Sequence, residues 1–423
     1  MRNLYTIILY LVTPFLLLRL YWRGRQNAGY RQRWYERFGY LASPQKPVDL
    51  WLHAVSVGEV IATIPLVKQL QLENPTTRIL VTTTTPTGSM RVQQVLGDTV
   101  EHVYLPYDLP VAVKRFLKAW QPRLAIIMET ELWPNMLHYC GHTNTPVLIA
   151  NARLSERSAR GYAKISSLAR AMMSHITLLL AQDKTDAQRF IDLGLDPERV
   201  RISGSIKFDI SIPTQIIDAG KQLRQKWGKQ RPVVVAASTH SGEDEQILAA
   251  FNTVRQDFAD AVLIIVPRHP ERFDKVASLC QQAGFNTVMR TNSEQYSENM
   301  DILVGNTMGE MLLFYAAADV AFVAGSLIPH GGHNVLEPAA MSKAIITGPH
   351  VFNFTTINAL LSEAQAIISV NDAQQLATAV IKLFREQPIR QQMGRSASQV
   401  VEKNRGALAQ HVQYIRQLGT TTR

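Results

Sequence analysis

From residue 48 onward, short apolar runs rich in β-branched residues alternate with longer segments whose apolar positions recur every three or four residues. Runs of the first kind fit strands buried on both faces, and segments of the second kind fit amphipathic helices packed on them. Strands are expected at 48–55, 78–84, 102–105, 124–128, 146–150, 177–181 and 200–203, with helices at 60–72, 111–120 and 184–193 among them. The alternation lapses in a polar stretch around 215–230. It resumes with strands expected at 233–237, 262–266, 286–289, 302–304, 320–323, 344–346 and 366–370. This is the pattern of parallel βαβ units, so the expected class is α/β, with two Rossmann-like lobes on parallel sheets. Ligands of such sheets bind beyond the carboxyl ends of the strands. The search for chemistry therefore goes to the strand-to-helix turns and to the cleft between two lobes.

The first residues follow another pattern. Residues 4–18 are almost wholly apolar, and Tyr5, Tyr10, Tyr21 and Trp22 supply aromatics of the kind found at membrane interfaces. Arg19, Arg23, Arg25, Arg31, Arg33 and Arg37, against one glutamate, Glu36, hold five of the chain's ten net positive charges. Charge concentrated beside an apolar run points to a membrane phospholipid surface as partner and away from nucleic acid. The run is short for a span of about 20 residues, and Pro14 is expected to interrupt its helix, so crossing the bilayer and lying in the interface both stay open. Either arrangement anchors the chain. Arginines follow the run where a cleaved signal would carry small residues, and their excess places the body on the cytoplasmic side. The expected division is a membrane anchor at 1–22, an amino-terminal lobe at 23–214 and a carboxyl-terminal lobe at 215–423.

Composition narrows the classes without choosing among them. With 423 residues, 46% hydrophobic and 18% charged, the chain has the balance of ordinary globular domains and is neither disordered throughout nor a disulfide-stapled miniprotein. Cys140 and Cys280 stand far apart with no CxxC spacing, so a zinc site and a disulfide framework are not expected, and a reducing compartment fits.

Several strand-to-helix turns carry chemistry. Ser56, Gly58 and Glu59 follow the first strand, where a carboxylate can serve as general base; Ser56-x-x-Glu59 equally reads as a helix capping box. Glu129 and Glu131, two positions apart, end another strand and on an extended chain would share a face. Lys207, just after the last strand of the first lobe, can neutralise an anionic leaving group. In the second lobe, Arg268, His269 and Arg272 form a basic turn after Pro267. Ser238–Glu243 and Thr307, Met308, Gly309 and Glu310 sit at further turns, the latter again spaced as a capping box. Gly331 and Gly332 let backbone amides approach a phosphate, a helix beginning near Asn334 and Val335 would aim its positive end there, and Glu337, just past Leu336, suits the hydroxyls of a ribose.

With these motifs assembled, the chain resembles the Kdo transferases, which attach 3-deoxy-D-manno-octulosonic acid (Kdo) to the lipid A precursor of Gram-negative bacteria. HAVSVGE, TTTTPTGS, LPYD, METELWPN, ANARLS, GSIKFD, VPRHPERF, TMGE, GGHNVLEPAA and TGPHVFNF occur in order over nearly the whole length. The resemblance implies an inverting, metal-independent glycosyltransferase of the GT-B fold, with no cofactor. Such an enzyme moves Kdo from CMP-Kdo to the 6′-hydroxyl of a tetraacyl-disaccharide bisphosphate, releases CMP and serves lipopolysaccharide biosynthesis at the bacterial inner membrane. It assigns the base to Glu59 and transition-state stabilisation to Glu131 and Lys207. CMP contacts fall on Pro267, Arg268, Met308, Gly309, Glu310, Asn334, Val335, Leu336 and Glu337. A GT-B-fold nucleotide-sugar 2-epimerase and a non-catalytic nucleotide-binding membrane adaptor are the competing expectations.

Overall fold

The structure, a computed structural model, describes residues 1–26, 28–41 and 46–421. It divides into two compact units, Met1–Asp209 with Arg405–Arg423, and Ile210–Asn404.

In the first unit the described strands are β1 (Leu50–His53), β2 (Ile79–Thr83), β3 (Glu101–Tyr104), β4 (Leu124–Met128), β5 (Val147–Ala152), β6 (Leu178–Ala181) and β7 (Val200–Ile202). They lie in the order β3-β2-β1-β4-β5-β6-β7, and their described pairings are parallel. Alternation along each strand feeds two cores. Trp51, Ala125 and Ile127 pack on one face with Phe116 and Leu137, while Leu52, Ile126 and Met128 pack on the other with Val60 and Leu66.

The second unit repeats the plan with β8 (Val233–Thr239), β9 (Val262–Pro267), β10 (Thr287–Met289), β11 (Ile302–Val304), β12 (Val320–Val323), β13 (Ala344–Thr347) and β14 (Ile367–Ser369). Their order is β10-β11-β9-β8-β12-β13-β14. Leu263 and Ile265 enter one core and Val262 and Ile264 the other. The expected strands are thus present in sequence position, and the architecture is two parallel-sheet Rossmann-like units.

Two expectations need correction. The last helix, Ala407–Thr421, does not belong with the preceding residues: Ala407, Val412 and Ile415 join the Val60 and Leu66 core of the first unit. Asp209 accepts the N–H groups of Gly406 and Leu408 at 2.7 Å each, and His411 Nε2 accepts the Asn151 N–H at 2.8 Å. The lobe expected at 215–423 therefore loses its end to the first unit, and the break between units comes at 209/210, a little before the expected 214/215. Apolar periodicity identifies a helix but not the core that receives it. Secondly, the amino-terminal helix is continuous from Arg2 to Gln26, running through Pro14, with Thr13 Oγ1 donating to the Leu9 carbonyl at 2.7 Å. Among the described residues, Arg2–Arg25 is the one helix long and apolar enough to cross a membrane.

Candidate active site

In the first sheet the strand order reverses between β1 and β4, and open parallel sheets bind ligands beyond the carboxyl ends at such a reversal. Glu59 follows β1, and Glu129 and Glu131 follow β4. Ser56 caps the helix Val57–Glu73, its Oγ accepting the Glu59 N–H at 3.4 Å and donating to Glu59 Oε1 at 2.9 Å. Glu59 Oε2 accepts the Val55 N–H at 2.8 Å. The capping reading of this motif is therefore realised, and those hydrogen bonds favour the carboxylate. Burial outweighs them: desolvation lifts the Glu59 carboxyl to about 7, with the charges of Glu129 and Glu131 adding to the rise. One side chain thus caps a helix and stands ready to exchange a proton near neutrality.

Glu129 and Glu131 do not lie on an extended strand as expected, although both are near enough to Glu59 to raise its carboxyl. Glu129 adopts φ +57°, an uncommon conformation for a residue other than glycine, and the chain turns there instead of continuing as a strand. Lys207 Nζ lies 3.3 Å from Glu129 Oε1, whereas Glu131 Oε2 accepts the Trp133 Nε1–H at 2.9 Å. Desolvation raises the Glu131 carboxyl, the Trp133 bond opposing it and the Glu129 charge reinforcing it. Glu59, Glu131 and Lys207 thus gather at one end of the first sheet, and Glu129, which the family resemblance left without a role, is the partner of the lysine.

The second sheet reverses between β8 and β12. A buried carboxylate ties the two following loops together: Glu243 accepts N–H bonds from His240 (3.2 Å), Gly325 (2.7 Å), Ser326 (3.0 Å) and Leu327 (3.0 Å). On this staple His240 Nε2 lies 2.7 Å from His333 Nε2. The His330 and His269 ring centroids are 3.8 Å and 5.6 Å from that of His240. Burial pushes His240 down to about 4 and His333 to about 3, with neighbouring histidines and Arg268 pressing the same way. Both are neutral at pH 7, one Nε2 donating to the other.

The remaining expected residues lie in turns that follow strands of the same sheet. Pro267 ends β9 and is buried, and Arg268 after it is exposed. Gly331 and Gly332 take φ +101° and +75°, backbone conformations that favour glycine. The Gly332 N–H, however, donates to the Gly325 carbonyl at 2.8 Å; it shapes the loop and is not an open phosphate donor. Asn334 Oδ1 accepts the Leu336 N–H at 3.0 Å, and its Nδ2 donates to Glu337 Oε1 at 3.1 Å, at the start of the helix Leu336–Ala340. Burial raises the Glu337 carboxyl. Val335 and Leu336 are buried. The expected capping box at Thr307 does not form. Glu310 itself takes the cap position of Met311–Ala317, binding Thr307 Oγ1 and pairing with Arg290 at 2.8 Å, while Met308 is exposed and Gly309 takes φ +85°.

Glu243 and the convergence of four histidines had no sequence signal as a unit, because the residues come from three different loops. Among the described residues no group of three or more His, Cys, Asp or Glu side chains has metal-binding geometry.

Comparison with known proteins places these arrangements in context. Residues 32–210 match the family described as 3-deoxy-D-manno-octulosonic-acid transferase (kdotransferase), and residues 223–400 match glycosyl transferases group 1. The 3-deoxy-D-manno-octulosonic acid transferase of Haemophilus influenzae is 44% identical over 410 residues, covering 96% of each chain. That of Bordetella pertussis is 33% identical over 419 residues, again covering 96% of each. A glycosyltransferase from Rickettsia africae superposes with a TM-score of 0.56 at 14% identity, covering 89% of this chain and 99% of that one. The UDP-GlcNAc 2-epimerase of Neisseria meningitidis gives 0.55 at 11% identity, covering 84% and 99%. Likeness at such low identity shows the two-lobed GT-B fold alone and does not separate transferase from epimerase; the relatives matched over nearly the full length do.

Proposed function

Since the chain belongs to the 3-deoxy-D-manno-octulosonic-acid transferase family and is a glycosyltransferase, we propose that it transfers Kdo from CMP-Kdo to the 6′-hydroxyl of a tetraacyl-disaccharide bisphosphate lipid A precursor, with inversion, in lipopolysaccharide biosynthesis. The observation that carries this reading is the Glu59 carboxyl, held at the sheet reversal of the first unit and lifted by burial to about 7. Glu59 takes the proton of the acceptor hydroxyl as that oxygen bonds to the anomeric carbon of Kdo. The bond from this carbon to the CMP phosphate breaks with its electron pair on the phosphate oxygen.

The second unit supplies the grip on the nucleotide. Arg268 and the basic cluster behind it meet the phosphate, Glu337 the ribose, and Met308, Gly309 and Glu310 the remainder of the CMP, with Pro267, Asn334, Val335 and Leu336 shaping the cradle. In the first unit Lys207, held by Glu129, offsets negative charge in the transition state, and Glu131 supports it. Acyl chains of the acceptor stay with the bacterial inner membrane while the catalytic lobes face the cytoplasm, the arginines near the amino terminus meeting its phosphates.

Mass spectrometry of lipid products made by the purified protein from CMP-Kdo tests this reading. Addition of Kdo to the lipid is expected only when donor and acceptor are both present. Isomerisation or hydrolysis of the donor at the same rate without acceptor would overturn it.

A further inference from the structure

The amino-terminal helix meets the length and apolarity of a membrane span, but its packing is that of a helix lying on its side. Its first turn is fastened to the first unit: Arg2 Nη1 and Thr6 Oγ1 donate to Asn135 Oδ1 at 3.0 and 3.2 Å, and the Tyr5 hydroxyl bonds Asp108. Asp108 is itself seated in that unit, accepting the N–H groups of Asn135 and Met136 at 2.8 and 2.7 Å. The segment after the helix is fastened to the same unit. Arg33 donates to the His102 carbonyl at 2.7 Å, Glu36 accepts the Tyr104 N–H at 2.8 Å, and Arg37 donates to the Thr84 carbonyl at 2.9 Å.

Burial along the helix carries the same message. Tyr5, Leu9, Thr13, Leu16 and Leu20 are partly covered, recurring every three or four residues, while Val12 and Leu17 on either side of them are exposed. At about 100° per residue, the stripe of Leu4, Ile8, Leu11, Phe15, Leu18 and Trp22 lies roughly opposite. That stripe is bare, with Leu11 69%, Phe15 70% and Trp22 66% exposed. A helix crossing about 30 Å of hydrocarbon puts its two ends on opposite sides of the bilayer, which is incompatible with both ends being bonded to one folded unit.

We infer that Arg2–Gln26 is an in-plane membrane helix: it lies flat on a phospholipid surface, immersing the Leu11 and Phe15 stripe among acyl chains while its first turn and the segment that follows it stay bonded to the first unit. The occupant follows from the charge and the aromatics. Arg23 stacks over Tyr30 and Arg31 over Tyr21, 5.6 and 4.7 Å from the ring centroids, which places cations and amphipathic rings together at the edge of the stripe, as anionic head groups require. This inference stands on packing and is independent of Kdo transfer, so either can fail without the other.

Two measurements test it. The full chain is given a protease-cleavable tag at the amino terminus or at the carboxyl terminus and examined in sealed inside-out vesicles of bacterial inner membrane. Equal cleavage of the two tags from outside is expected; a tenfold lag of the amino-terminal tag, relieved by detergent, would establish a span and overturn the inference. In flotation with phosphatidylethanolamine and phosphatidylglycerol vesicles, Leu11→Asp with Phe15→Asp is expected to lower the bound fraction at least tenfold at unchanged melting temperature. Undiminished binding would show that the stripe does not meet the lipid.

Discussion

Glu59 shows how one residue can satisfy two demands. As a cap it accepts N–H and O–H bonds that favour its charge, and in the proposed role of base it needs a pKa close to the working pH; burial sets the balance at about 7. The rate of transfer at subsaturating acceptor is therefore expected to rise about tenfold per unit below pH 7 and to level off above it, as a pH profile of kcat/KM would show. A carboxyl raised from 4.5 costs stability progressively as pH climbs through the interval up to about 7 and by a constant amount above it. Glu59→Gln should accordingly be more favourable to the melting temperature at pH 8 than at pH 4, by calorimetry. The site residues at strand ends were legible because a glycine, a carboxylate or a basic group directly follows an apolar run. The partnership of Lys207 with Glu129 was not, since it depends on a φ of +57° that the sequence does not announce.

At the scale of elements, helix starts and loop staples decide geometry. Ser56→Ala removes the cap of Val57–Glu73, at a cost of about 1 kcal/mol. Because the Ser56 bond holds the Glu59 carboxyl down, the midpoint of the pH profile should move upward at the same time; a lower melting temperature with an unmoved midpoint would separate the two roles. In the second unit, Glu243 fixes the loops after β8 and β12 through four backbone N–H groups. Glu243→Gln turns an amide N–H toward such donors and should cost about 2 kcal/mol or more, read as an earlier urea transition of that unit. Strands and helices were readable here from period and composition. The staple was not, because a glutamate one turn after a strand looks like any cap until the partner loop, eighty residues later in the chain, is brought beside it.

For the whole molecule, the chain builds two similar sheets and then returns to the first of them. The last helix contributes Ala407, Val412 and Ile415 to the core around Val60 and Leu66, and each buried aliphatic side chain of Val or Ile size stabilises by about 1.5–3 kcal/mol. Ending the chain at Asn404 should lower the melting temperature of the first unit by about 10 °C or more and leave that of the second unmoved, seen as two transitions moving apart in calorimetry. Two lobes and their sheets were legible in the alternation of runs, whereas the return was not, because an amphipathic helix carries no label for its destination. The proposed reading divides the labour, giving the proton acceptor to the first unit and the nucleotide to the second, so donor affinity and chemistry should respond to different substitutions. The most direct measurement is the single-turnover rate of Kdo transfer by Glu59→Gln with both substrates saturating, alongside its affinity for CMP. A fall of about 10²–10⁴-fold with CMP affinity within twofold of the native chain is expected, and a rate equal to that of the native chain would contradict the assignment of Glu59 as base.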